Sequence, residues 1–158
     1  MANTQSMCTS FLGEVLTATH NFGTAPIRAA STADTFKAAL YLASATVNAS
    51  TTAYSATGEV SGAGYSAGGV TVTNATPPSS TNTSATAGVA YWTPSASITY
   101  TTVTLSTAFD CVLIYNSTQS NKAVSVHTFG SQTITAGTFT LTMPSNTTST
   151  ALLRLATT

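Results

Sequence analysis

The sequence predicts an all-β protein: an antiparallel β-sandwich or barrel, jelly-roll-like, of about seven or eight strands with one short N-terminal helix. Three observations carry this. From Thr35 onward apolar and polar residues alternate with a period of two, as a half-buried strand requires. The alternating runs recur about every 8–14 residues and are separated by turn residues, a spacing that suits sandwiches and barrels rather than βαβ units. Thr and Ser supply roughly a third of the chain, and the branched Thr side chain fits a pleated backbone.

The one helical signal comes first. Residues 9–22 place Phe11, Leu12, Val15, Leu16 and Thr19 at helical spacing, with Ser10 as N-cap and Gly23 and Pro26 as stop signals. The apolar stripe is expected to pack on the body of its own domain. Strands are then expected at Thr35–Leu42 and, after a Ser/Thr loop from Asn48 to Thr57, at Val70–Thr73. Between them lies Gly58–Gly69, which holds five of the ten glycines. Later strands follow at Ala87–Trp92, Ser97–Leu105, Cys111–Tyr115, Ala123–Phe129, Gly137–Met143 and Ala151–Leu155. Turns are expected at Thr76–Thr81, Thr93–Ser95, Asn116–Asn121, Phe129–Gln132 and Pro144–Thr148. This divides the chain into an N-terminal arm, residues 1–34, and a β-sandwich domain, residues 35–158.

Charge is nearly missing. Four Lys/Arg and four Asp/Glu cancel to zero and make up 5% of the residues, against about a quarter in an average domain. Arg28, Lys37, Lys122 and Arg154 are scattered, so no basic patch offers itself to nucleic acid. No apolar run approaches the ~20 residues of a membrane span, and the first residues lack a secretory pattern. The expectation is a protein made in a cytoplasm, with Cys8 and Cys111 as free thiols and no membrane partner. The Asn-x-Ser/Thr triplets at Asn48, Asn74, Asn82, Asn116 and Asn146 follow from the abundance of Ser and Thr. A surface so poor in charge favours association over solubility, which points to a subunit of an assembly.

Catalytic patterns are sparse. Gly64-Tyr-Ser-Ala-Gly68 has the letters of a nucleophile elbow, and Asp110 and His127 follow Ser66 in the order of a triad. The elbow requires a helix after the serine, whereas the Val70–Thr73 strand follows here. The expected role is a bulged connection between strands. His20, His127, the two cysteines and the four acids make no metal-ligand spacing. No catalytic, cofactor-binding or metal-ligating residue is therefore assigned, and the chain reads as a non-enzyme.

Two segments, taken together, carry a resemblance. The first is Phe36-Lys-Ala-Ala-Leu-Tyr41 followed by residues 52–72, with the block Gly58-Glu-Val-Ser-Gly-Ala-Gly-Tyr-Ser-Ala-Gly-Gly69. The second is Leu113-Ile-Tyr-Asn-Ser117, Asn121–Gly130 and Gly137-Thr-Phe-Thr-Leu-Thr-Met-Pro144. Over residues 11–156 this order resembles a family of small structural proteins of tailed bacteriophages, found among their capsid genes. The likeness implies a virion protein on the capsid surface, most simply a cement or decoration protein bound to the major capsid protein. For such a protein a cyclic homo-oligomer is expected, a trimer being slightly preferred because capsid threefold positions are common docking points. Family members have a shorter linker before the Phe36 strand and more charge across 85–110, where this chain has Ser, Thr and Ala. The alternative is a tail, neck or fibre component contacting a host glycan. Tyr54, Tyr65, Tyr91, Trp92 and Tyr100 would then stack on sugar, unless they fill the core.

Overall fold

A computed structural model describes residues 3–16, 18–22, 33–81 and 88–156. Among these residues the chain forms an antiparallel two-sheet β-structure with one short helix. In chain order the elements are β1 (Ser6–Met7), α1 (Thr9–Leu16), β2 (Phe36–Leu42), β3 (Val70–Thr71), β4 (Ser79–Ser80), β5 (Val89–Trp92), β6 (Ile98–Asn116), β7 (Lys122–Leu141) and β8 (Leu153–Ala156). The large sheet has the order β1-β7-β6-β2-β3, and the small one β4-β5-β8.

The long β6–β7 ribbon dominates, and it corrects four expected strands to two. Ser97–Leu105 and Cys111–Tyr115 are one 19-residue strand; Ala123–Phe129 and Gly137–Met143 are one 20-residue strand. The expected turn at Phe129–Gln132 is a bulge inside β7, where the register steps from Phe109↔Gln132 to Cys111↔Thr128. Gly130 there has φ +82°. A bulge calls for that backbone state as a turn does, so composition alone does not separate the two. The real turn of the ribbon is Ser117–Asn121, inside the expected Asn116–Asn121 cluster. β1 and β4, two residues each, were not expected; so short a strand shows no periodicity.

The helix ends at Leu16, earlier than the 9–22 pattern suggests. Ser10 lies inside its first turn, not at the cap, and its hydroxyl is buried without a partner. Gly23, Pro26, Arg28, Asn82 and Ala87 fall outside the described residues, as do the side chains of Leu12 and Leu16. Phe11 turns into the core while Val15 stays exposed.

The core draws on every element but β4. Leu40, Leu113, Val124 and Val126 are fully buried in the large sheet. An aromatic cluster ties α1 and the small sheet to it: Phe22 stacks on Phe36 (ring centroids 4.4 Å) and meets Trp92 at 4.7 Å. Burying rings of this size contributes about 2–3 kcal/mol each. Residues 3–22 share this core, with Cys8 and Phe11 inside it and β1 paired to β7. The glycine block lies flat on the sheet edge. Ala63 bridges Thr104, and a Cβ at Gly62 would come within 2.0 Å of the Thr104 carbonyl oxygen.

Candidate interaction surface

Strand alternation decides what faces water. On β6, Thr99, Thr101, Thr102, Ser106 and Thr107 are exposed; on β7, Thr133, Thr135, Thr138 and Thr140 are. The apolar residues between them turn inward, Val103 and Leu105 fully and Ile134 and Phe139 in part. No Asp, Glu, Lys or Arg occurs in 93–109 or 128–153, so this half of the ribbon presents an uncharged, hydroxyl-rich surface. Within the single chain it stands open. A second, smaller feature is an apolar groove of about 180 Å³ between α1 and the small sheet. Val15 and Leu155, the large hydrophobic residues exposed among those described, both line it.

The few charges have another use. Each of the four acidic side chains accepts hydrogen bonds, three of them from a distant part of the chain and Glu59 from its own neighbourhood. Glu14 takes Lys122 Nζ at 2.6 Å and His20 Nε2 at 2.7 Å. Burial would raise its carboxyl, but these two donors outweigh burial and hold it below the ordinary value. Asp34, itself buried, takes Asn116 Nδ2 at 2.8 Å and the Asn21 N–H at 2.8 Å. Glu59 takes the hydroxyls of Tyr54 (2.6 Å) and Tyr65 (2.7 Å) and the Gly68 N–H (2.7 Å). Asp110 takes Asn3 Nδ2 at 2.5 Å. Such charge-assisted bonds are the strong ones; here those of Glu14, Asp34 and Asp110 staple the N-terminal segment to the sheet, and those of Glu59 brace the glycine block. Sequence reasoning missed this, because every partner in space is chosen by the fold.

The residues of the elbow-like pattern are not brought together. Ser66 is exposed in the glycine block on the β2 side of the sheet, His127 lies on β7, and β6 runs between them. His127 Nε2 instead sits 2.9 Å from Ser125 Oγ, and Ser125 is only 1% exposed. Burial pushes His127 down to about 4. The two cysteines are free and buried; burial lifts Cys8 to about 11 and Cys111 to about 12, which leaves both as inert thiols at neutral pH. Among the described residues no cluster of three or more His, Cys, Asp or Glu forms, and no helix is long and apolar enough to cross a membrane.

Of the aromatic candidates for sugar stacking, two lie in the core and two pack against it. Trp92 and Tyr100 are 2% exposed, and Tyr54 and Tyr65 pack partly buried against the same cluster. Tyr91 is half-buried in β5.

Compared with known protein families, with characterised proteins and with solved structures, the chain matches none.

Proposed function

We propose that this chain is a non-enzymatic virion structural protein, a cement or decoration protein that binds the outside of a tailed-phage head and bridges major capsid subunits. The observation that carries the reading is the open, uncharged Ser/Thr face of the β6–β7 ribbon. Covering such a face removes no ion from water, which avoids the large desolvation penalty of buried charges. Its hydroxyls hydrogen-bond equally to a neighbour's backbone or side chains. Repetition over a shell turns modest single contacts into firm attachment. The resemblance of residues 36–72 and 113–144 to phage structural proteins supports the same reading, as do the inward use of the acids and the core position of the aromatics.

In this role the protein forms a cyclic homo-oligomer, a trimer at local threefold positions, and stabilises the shell without touching DNA or membrane. Particles assembled without it test the reading. They are expected to package DNA normally but to lose integrity on heating or osmotic shock, and added protein restores them. Particles that resist stress as well as complete ones defeat it. A neck, tail or fibre location would instead show as tens of copies or fewer per particle, against hundreds for a cement.

A further inference from the structure

We propose that Asn116 holds His20 as its neutral Nε2–H tautomer, and that protonation of His20 unlatches the N-terminal segment, α1 with residues 18–22, from the β6–β7 turn. This does not depend on the capsid reading; it concerns a device within the single chain.

The orientation of the Asn116 amide is fixed from one side. Its Oδ1 accepts the backbone N–H groups of Thr118 (3.1 Å) and Gln119 (3.2 Å), and the whole residue is buried. Its Nδ2 therefore points the other way and donates to Asp34 Oδ2 at 2.8 Å and toward His20 Nδ1 at 3.1 Å. Turning the amide over would set its oxygen against a carboxylate and its N–H groups against two backbone donors. An imidazole nitrogen facing a donor must present a lone pair, so Nδ1 carries no proton. The ring proton is then on Nε2, where it is given to Glu14 Oε2 at 2.7 Å.

A second proton has only Nδ1 to go to, and there it meets the N–H of Asn116. The ring has no escape to water, because its side chain is fully buried between Phe11, Phe22 and Phe36, with centroids 4.9, 6.2 and 6.3 Å away. Among the described residues, the titratable groups that face it are Glu14 from α1, Asp34 ahead of β2 and Lys122 at the start of β7; β6 contributes the non-titrating Asn116. Burial is the largest influence and opposes the added proton, as does Lys122, while the two carboxylates favour it; the net effect holds His20 below the ordinary histidine value. Charging the ring thus needs the contact between His20 and Asn116 to open. That contact lies in one continuous run of bonds, Lys122–Glu14–His20–Asn116–Asp34, which joins the N-terminal segment to the ribbon turn. Closed at neutral pH and opened by acid, it makes docking of the segment pH-dependent.

Ring-nitrogen NMR of the full ¹⁵N-labelled chain tests this. At about pH 7.5, His20 is expected in the Nε2–H form, assigned by its loss in His20→Gln. On acidification its protonation is expected to share one midpoint with collapse of the amide signals of residues 9–16 and 18–22, and in His20→Gln those signals stay in place. Asn116→Asp offers Nδ1–H an acceptor, and is expected to raise the midpoint by about one pH unit or more. A His20 found as the Nδ1–H tautomer overturns the proposal. So does protonation that leaves the segment's signals unmoved, or a midpoint that falls in Asn116→Asp. If Asn116→Asp does not fold, the tautomer and titration of the natural chain decide alone.

Discussion

The hydroxyl of Tyr65 donates to the carboxylate of Glu59 at 2.7 Å and at the same time accepts the backbone N–H of Leu40 at 3.0 Å. One side chain thus ties the glycine block to the central part of β2. Burial, then the neighbouring Glu59, pushes the Tyr65 hydroxyl far above its ordinary value, so it stays a donor at any working pH. Removing the acid in Glu59→Ala takes the acceptor from three donors together, the hydroxyls of Tyr54 and Tyr65 and the Gly68 N–H. A loss of about 3 kcal/mol in unfolding free energy is expected, and about 2 kcal/mol for Tyr65→Phe. Urea denaturation of the two variants checks both values; a loss under about 1 kcal/mol in Glu59→Ala would show the staple to be idle.

Two glycines separate steric need from conformational need. A Cβ at Gly62 would lie 2.0 Å from the Thr104 backbone oxygen, whereas one at Gly130 meets nothing within 4 Å but must adopt φ +82°. Gly62→Ala is expected to destabilise by about 3 kcal/mol through backbone displacement, and Gly130→Ala by about 1 kcal/mol through strain alone. Thermal unfolding of the pair gives the ranking, and the reverse order would contradict the packing of the block on β6.

His127 makes stability fall in acid. Its value is depressed to about 4 when folded, by burial, and returns to the ordinary value of about 6.5 on unfolding. Above that unfolded value neither state binds the proton and the group adds no slope. Below it the unfolded chain binds the proton first, so stability drops as pH falls from about 6.5 to about 4, by up to about 3 kcal/mol. The difference between the natural chain and His127→Gln, measured across that range by denaturant titration, isolates this group from His20. Parallel curves for the two proteins are the contrary result.

The neutral face can be tested by charging it. Thr135→Lys with Thr138→Lys places two ammonium groups at exposed β7 positions. Surface changes of this kind alter stability by no more than about 0.5 kcal/mol each. Binding to particles that lack the protein, followed by co-sedimentation, is expected to weaken about tenfold or more, because each ammonium must be desolvated or left unpaired. Undiminished binding moves the docking face elsewhere on the molecule.

Both thiols are expected to resist a thiol reagent in the native protein and to react at once in denaturant, since Cys8 and Cys111 are each 0% exposed. Mass spectrometry after brief labelling reads the outcome. Rapid native labelling of either residue would mean that the segment around it opens readily.

Much of the β-structure was legible in the sequence because it is written locally. The Phe36–Leu42 strand is found one residue inside its expected span, and the alternation of Thr with apolar residues marks the exposed face of β6. The breaks at 106–110 and 129–132 were misread for a physical reason. A bulge and a turn use the same residues, and only the hydrogen bonds of a partner strand tell whether the chain continues. For Trp92 and Tyr100 the choice between core and sugar stacking had to wait for the fold, which places both in the core, because an aromatic residue reads alike in a core and on a surface.

The all-β class and the absence of charge from 93–109 and 128–153 can be read from the chain alone. Those are properties of composition and of a two-residue period. Where the scarce charges go is set by the three-dimensional fold. Glu14 meets Lys122 across 108 positions of chain, Asp34 meets Asn116 across 82, and Asp110 meets Asn3 across 107. A short-range pattern cannot encode such pairs, because they exist only once the N-terminal segment has packed on β6, β7 and the turn between them. The fold sends the acids inward to hold loops and leaves the ribbon's hydroxyls facing out.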